Sequence, residues 1–174
     1  AEDGIRDLIV TGVQTCALPI CIPAGFPRWV VSHYLKEFAL SRSVVWMINE
    51  EQSEVRRIYT DGRGHTPRDE AYPLYEGDSI GFWDGDTLVV DSKTFNEKFW
   101  FSNGGLPHTD TLKLTEKITR PNYDTLRYEV TVNDPATYSR PWTSSWTLQW
   151  VPGLDPEEYY CDDNNKDGES PAAK

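Results

Sequence analysis

Hydrophobic and polar residues alternate with a period of two over much of the chain, most regularly near its C-terminal end. Three inward-facing series are Leu112, Leu114 and Ile118; Leu126, Tyr128, Val130 and Val132; and Trp146, Leu148 and Trp150. A two-residue period with a polar opposite face is typical of antiparallel strands that are covered on one side. No sustained helical period interrupts these runs, so the sequence predicts an all-β protein.

Turn signals separate the predicted strands. Asp84-Gly85 lies between two β-rich runs and favours a tight hairpin, because both positions of such a turn need positive φ. Pro121-Asn122-Tyr123 marks a second hairpin, between "TLKLTEKITR" and "DTLRYEVTV". About eight or nine strands in a mostly antiparallel meander predict closure into a lipocalin-like barrel, with a β-sandwich as the alternative.

The first twenty residues do not follow this pattern. Residues 1–7, "AEDGIRD", and 10–20, "VTGVQTCALPI", match the translation of a short-read sequencing adapter, and the two residues between them fill the place of a sample barcode. We therefore expect residues 1–20 to be a non-native segment. Residues 21–161 are expected to form a single all-β domain that is truncated at its N-terminus, and residues 162–174 a polar, disordered tail.

The amino-acid composition argues against some classes of binding partner. The chain carries a formal net charge of −11 and no basic run, which argues against nucleic acids and anionic membranes as partners. No apolar run approaches the length of a membrane span, so membrane insertion is not expected. Seven Trp and nine Tyr residues are typical either of a site for carbohydrate or aromatic ligands or of an ordinary all-β core.

Cys21 and Cys161 lie at opposite ends of the expected domain, since the third cysteine, Cys16, belongs to the adapter-like segment. In an oxidising compartment the two could pair and join the termini. Two free thiols are the alternative.

From residue 21 onwards the chain resembles a family of secreted bacterial proteins that is common in soil genomes. The segments that carry the resemblance are "CIPAGFPR", "RRIYTDGRGH", "GDSIGFWDGDTLVVDSKTFN", "GLPHTDTLKLTEKITR", "VNDPATYSRPW" and "EYYCDDNNKD". Members carry a signal peptide and an upstream Gly-x-Trp motif similar to the first strand of lipocalin-like barrels. The resemblance implies a secreted or periplasmic β-barrel, and it implies no particular reaction.

Glu116 interrupts an apolar face that otherwise points inwards. A buried carboxylate must be paired, hydrogen-bonded or protonated. If Ile118 pairs with Leu126 across the hairpin, Glu116 faces Tyr128, and Arg57 could supply the opposite charge. Glu116 is then either a general acid/base or ligand anchor in a cavity, or part of a structural Glu–Arg–Tyr bridge.

His65 and His108 both lie in loops rich in Gly and Pro, where catalytic groups are often found. Asp110 follows His108 closely and could orient its imidazole for proton transfer. The alternative is that both histidines only brace their loops. The chain has no closely spaced His-x-His or Cys-x-x-Cys motif, and "DNNKDG" lacks the closing Glu of a calcium loop, so neither a metal nor another cofactor is expected.

Phe99, Trp100 and Phe101 are consecutive aromatic residues and form either a binding lip or packing across two layers. Trp100 and Asn103 of this loop are candidate ligand-binding residues, together with Arg57 and Tyr128.

Three functions follow from these observations. The first is binding of a small apolar or aromatic molecule, or a sugar, in the mouth of the barrel. The second is a hydrolase, lyase or isomerase that uses His108, Glu116 and His65 for proton transfer. The third is a structural envelope protein. Convergence of His65, His108 and Glu116 on one pocket would favour the enzyme hypothesis. The sequence does not determine the oligomeric state.

Deletion of residues 1–20 is expected to leave the free energy of unfolding unchanged within about 0.5 kcal/mol, the size of a neutral surface change. Chemical denaturation of the deleted and the full chain measures this difference. A clear loss of cooperativity in the deleted chain would mean that these residues belong to the fold.

Overall fold

The computed structural model of the chain describes residues 23–102 and 105–159. The adapter-like segment, Cys21, Cys161, Asn103 and the polar tail lie outside these residues, so the predictions made for them stay predictions.

Eight strands form one sheet in which the spatial order follows the chain from β1 to β8. The strands are β1 (Lys36–Leu40), β2 (Val44–Asn49), β3 (Glu54–Tyr59), β4 (Asp78–Asp84), β5 (Thr87–Lys93), β6 (Lys113–Asn122), β7 (Thr125–Asn133) and β8 (Trp142–Gln149). A short 3₁₀ helix, Arg28–Val31, precedes them. The prediction of an all-β, mostly antiparallel meander is confirmed, and the sheet curls into a half-barrel.

One step of the meander differs from the others. β3 and β4 pair in parallel, and their ladder joins only Ile58 to Ser79 and Tyr59 to Ile80. Parallel neighbours need a connection that returns the chain to the start of the strand, and residues 60–77 provide it. This connection carries His65 across the outside of the sheet.

Both predicted hairpins are confirmed, but each turn lies slightly further towards the C-terminus than predicted. Asp84 pairs with Thr87, so Gly85 and Asp86 form the first turn. Gly85 has φ +58° and Asp86 is not among the residues with positive φ, which is the pattern of a type II′ turn rather than of a turn with two positive positions. In the second hairpin Asn122 pairs with Thr125.

The inner face of the sheet holds the core. Alternate residues of β6 and β7 are buried as predicted, including Leu114, Ile118, Val130 and Val132. The inward position predicted for Trp150 is wrong: it lies beyond the end of β8 and is 56% exposed, because it follows the last residue that pairs with β7.

The segment before β1 covers part of this inner face. Phe26, Trp29 and Val30 are all buried, and the backbone N–H of Phe26 donates to the carbonyl of Tyr75 at 3.1 Å. At the other edge of the described sheet, Trp142, Trp146 and Leu148 of β8 are only half-buried against the core. The open rim of the half-barrel is therefore lined by aromatic side chains.

Within the described part of the chain, no helix has the length and apolar character needed to cross a bilayer.

Candidate functional site

Glu116 forms a buried ion pair with Arg56, not with Arg57 as expected from the sequence. Arg56 and Glu116 are 1% and 0% exposed, and the distances from Nη1 to Oε2 and from Nη2 to Oε1 are 2.8 and 2.6 Å. Arg57 lies on the exposed face of β3, as does Val55, which is 45% exposed. The expectation was wrong because it placed Val55 on the inner face, whereas Arg56 and Ile58 point inwards.

Tyr128 reaches Glu116 as predicted, although through a different register. Ile118 pairs with Tyr128 and Glu116 with Val130, so Tyr128 is a diagonal neighbour of Glu116. Its hydroxyl donates to Glu116 Oε2 at 3.2 Å. Burial and then the charge of Glu116 raise the pKa of Tyr128 well above its ordinary value, so the phenol keeps its proton.

Two serines and the sulfur of Met47 also contact the pair, with Arg56 Nη1 3.7 Å from Met47 Sδ. Ser79 Oγ lies 3.2 and 3.0 Å from Arg56 Nε and Nη2, and Ser92 Oγ lies 2.7 Å from Arg56 Nη2 and 3.0 Å from Glu116 Oε1. The ring of Phe26 covers the guanidinium at 3.5 Å. Burial alone would lower the pKa of Arg56, but Glu116 outweighs it and raises the pKa, so Arg56 stays charged. This closed network is a structural bridge.

His65 lies on the opposite side of the sheet from Glu116. Its Nδ1 is 3.2 Å from Asp78 Oδ2, and its Nε2 lies 3.4 Å from Asp91 Oδ2 without hydrogen-bond geometry. Asp91 is exposed on β5, whereas its neighbour Ser92 is buried and touches Glu116. Since adjacent residues of a strand point to opposite faces, His65 and Glu116 cannot share a pocket.

His108 lies apart from both Glu116 and His65. It belongs to a group of aromatic side chains that we call the His108 cluster: Phe99, Phe101, His108, Tyr138 and Trp142. The imidazole is 6% exposed, and its centroid lies 4.3 Å from that of Phe99 and 5.1 Å from that of Phe101, which it stacks upon. Trp142 meets Phe101 and Tyr138 edge to face at 6.0 and 5.7 Å. Tyr138 also donates to the carbonyl of Pro107 at 2.8 Å.

Asp110 does not orient His108. Its carboxylate is exposed and lies 3.7 Å from Arg68 Nη2, because Asp110 points out of the loop. Phe99 and Phe101 both pack on His108, which supports the packing interpretation for these two residues, and Trp100 between them is half-buried.

Asp134 holds the loop that carries His108. Its side chain accepts hydrogen bonds from the backbone and hydroxyl of Thr109, the hydroxyls of Thr111 and Thr137, and the backbone of Ala136. Burial would raise the pKa of Asp134, but these hydrogen bonds together outweigh it and lower the pKa. Sequence reasoning missed this residue, although Asp134-Pro135 is a turn signal that could have pointed to it.

Two polar atoms of the His108 cluster are buried without a hydrogen-bond partner: His108 Nε2 and Trp142 Nε1. Burial lowers the pKa of His108, so the ring is neutral at pH 7. Its Nδ1 lies 3.3 Å from the carbonyl oxygen of Thr109, and the backbone of Phe99 also hydrogen-bonds the ring. Trp142 Nε1 is an unused donor, because an indole nitrogen can only donate.

A second group of orphaned atoms lies under the N-terminal segment. Asn49 donates to Glu54 Oε2 at 3.0 Å and Trp29 donates to Glu76, while Asn49 Oδ1, Glu54 Oε1 and Glu76 Oε1 are buried without partners. Burial and then the charge of Glu76 raise the pKa of Glu54 to about 8. Burial raises the pKa of Glu76 to about 7.

Among the described residues, no three His, Cys, Asp or Glu side chains are arranged to hold a metal ion.

An open cleft of about 400 Å³ lies beside β1 and β2. It is lined mainly by acidic residues, including Glu37, Glu50, Asp155 and Glu157. His65, His108 and Glu116 are not among the residues that line it.

Substitution of the buried arginine, Arg56→Gln, is expected to lower the free energy of unfolding by about 3–5 kcal/mol, because Glu116 loses its charge partner in the core. The matched substitution Arg57→Gln removes only an exposed arginine over Trp46 and should cost at most about 1 kcal/mol. Urea denaturation measures both. Equal losses in the two variants would mean that the buried bridge does not support the fold.

A rise in pH from 4.5 to about 8 should destabilise the fold through Glu54 and Glu76. Their pKa values rise from an ordinary 4.5 to about 8 and about 7, so the folded chain keeps protons that the unfolded chain releases. The contribution is complete below pH 4.5 and is lost as the pH rises to about 8. Glu54→Gln should flatten this decline in unfolding free energy, whereas the exposed control Glu157→Gln should not. A decline of equal steepness in Glu54→Gln and the parent would contradict the assignment.

Comparisons of the chain with protein-family models, curated proteins and solved structures found no match. The resemblance to secreted proteins of soil bacteria therefore stays a prediction.

Proposed function

We propose that this domain binds a small aromatic or apolar molecule, or a sugar ring, at the His108 cluster. The observation that carries the proposal is the pair of orphaned atoms, His108 Nε2 and Trp142 Nε1, buried among aromatic rings. A buried polar atom without a partner is energetically unfavourable, and native structures usually satisfy it with water or a ligand.

The composition of the cluster is that of a small-molecule site. Such sites are lined mostly by apolar and aromatic side chains, with a few polar groups that orient the ligand. Here Phe99 and Phe101 contact one neutral imidazole, and Trp142 packs on Phe101 and Tyr138. Aromatic faces and edges also suit flat ligands and the apolar faces of sugars.

The position of the cluster gives a ligand a route of approach. Trp142 lies at the start of β8, an edge strand of the described sheet, and both Trp142 and Phe101 are only half-buried. Loops and sheet edges held by a rigid scaffold are common places for binding sites. Asp134 supplies that rigidity, since its five hydrogen bonds fix the loop beside His108.

The enzyme hypothesis has less support from the geometry. Proton-transfer groups must lie within hydrogen-bond reach of one substrate. His65 lies outside the sheet, Glu116 is enclosed in the ion-pair network, and the ring contacts of His108 are to phenylalanines. The enzyme and the structural envelope protein stay predictions, as does secretion or periplasmic localisation.

Trp142→Phe is expected to weaken binding of methyl β-glucoside about tenfold, because it removes the orphaned N–H, which could donate to a sugar oxygen, and part of the ring surface. Trp83→Phe is the matched control, since Trp83 lies at the far end of β4 and is 50% exposed. Calorimetric titration with indole and with methyl β-glucoside measures the affinities. The proposal is wrong if neither probe binds the parent, or if both variants bind with equal affinity.

A further inference from the structure

We infer that this protein forms a two-fold symmetric dimer in which β8 pairs antiparallel with β8 of a second copy of the chain. Among the described residues, β8 is the last strand of the sheet and pairs with β7 alone. An edge strand presents a row of unpaired N–H and C=O groups, to which a further strand can bind. The dimer forms with or without a ligand at the His108 cluster.

One hydrogen bond identifies the backbone groups of β8 that face away from β7. The N–H of Trp150 donates to the carbonyl of Asp124 at 2.8 Å, and β7 and β8 pair in one continuous register. Successive residues of an antiparallel strand point their N–H and C=O groups to opposite sides, so the even-numbered residues of β8 face β7. The groups on the free side belong to Thr143, Ser145, Thr147 and Gln149.

β8 lacks the features that usually prevent edge-to-edge pairing of sheets. Its eight residues include no charged residue and no proline. β1, at the opposite edge, has only five residues and begins with Lys36 and Glu37. Short length and charged side chains protect an edge strand, so β8 rather than β1 is the edge that accepts another strand.

The side chains beside this edge are apolar and incompletely covered. Trp142, Trp146 and Leu148 lie on the inner face and are only half-buried, and Trp150, just beyond the strand, is 56% exposed. A strand added to β8 would bury part of this surface. Hydrophobic burial would therefore stabilise the contact in addition to the backbone hydrogen bonds.

A second copy of β8 fits this edge in a two-fold register. When Thr143 pairs with Gln149 of the second copy and Ser145 with Thr147, all four residues on the free side form hydrogen-bonded pairs. This register places Trp146 opposite Trp146 at the symmetry axis. It also places Trp142 opposite Trp150, and aromatic pairs across strands are favourable. The strand is thus complementary to itself, as a two-fold contact requires.

The distribution of charge favours a second copy over an unrelated strand. The chain has a formal net charge of −11, so two copies repel each other over much of their surface. Residues 141–154 carry no charge, and the first charged residues on either side of them are Arg140 and Asp155. Antiparallel pairing brings Arg140 of one copy to the same end of the ladder as Asp155 of the other, twice by symmetry. Opposite charges therefore flank an uncharged contact.

Sedimentation equilibrium of the full chain in reducing buffer, from about 1 µM to about 1 mM, tests the dimer. We expect the average mass to rise with concentration towards twice that of the monomer and not beyond, because two-fold pairing occupies the β8 edge of both copies. The reducing buffer excludes a disulfide-linked dimer. A monomer throughout this range, or association that continues past the dimer, overturns the inference.

Two variants locate the contact. Ser145→Lys places a charge on the free edge and should raise the dissociation constant of the dimer at least about tenfold. The matched control Thr115→Lys adds the same charge to the exposed face of β6, inside the sheet, and should leave the constant unchanged. Thr147→Pro removes an N–H on the free side and spares the ladder to β7, so it should weaken the dimer as Ser145→Lys does.

Circular dichroism checks that each variant is folded. If the folded variants Ser145→Lys and Thr147→Pro dimerise as tightly as the parent, the contact lies elsewhere and the inference is wrong. If only one of them folds, that variant decides, and the concentration series of the parent tests the dimer in either case.

Discussion

The buried pair of Arg56 and Glu116 is the interaction on which the rest of the structure depends. The sheet has a weak step between β3 and β4, where only two residue pairs join the strands in parallel. Arg56 crosses that step: from β3 its guanidinium binds Ser79 on β4, Ser92 on β5 and Glu116 on β6. One side chain therefore connects the first three strands to the remaining five. A hydrophobic residue could fill the same volume, but it could not select these partners by hydrogen-bond geometry.

The segment before β1 is organised around the same pair. Phe26 lies over the Arg56 guanidinium and meets Trp29 and Tyr128 edge to face, so it encloses the network from the side of the core. Trp29 donates to Glu76, whose carboxyl is also close enough for the charge of Arg56 to oppose the rise in its pKa. Packing of this segment is thus coupled to two buried acids whose pKa values are raised, which is why its stability should depend on pH.

Because Glu116 is enclosed, we place the candidate binding site at the His108 cluster, at the other end of the sheet. The network leaves its carboxylate no open position, whereas the His108 cluster keeps two buried polar atoms without hydrogen-bond partners, His108 Nε2 and Trp142 Nε1. The cluster is held by Asp134, whose hydrogen bonds replace the solvent that the loop would otherwise need. The molecule therefore separates a closed polar core, which holds the strands together, from an incompletely satisfied aromatic rim, where we place the ligand.

The sequence by itself determined the fold class, both hairpins and the inward position of Glu116, because the alternation of a strand is a local property. It could not decide between Arg56 and Arg57, since two adjacent arginines are chemically alike and only the packing of β3 selects the one that faces inwards. The ring partners of His108 are Phe99 and Phe101, and Trp142, which lies two strands later in the chain, joins the cluster through Phe101. Only the tertiary structure brings them together, because contacts between distant segments depend on strand register and on the curl of the sheet, which no short stretch of sequence encodes.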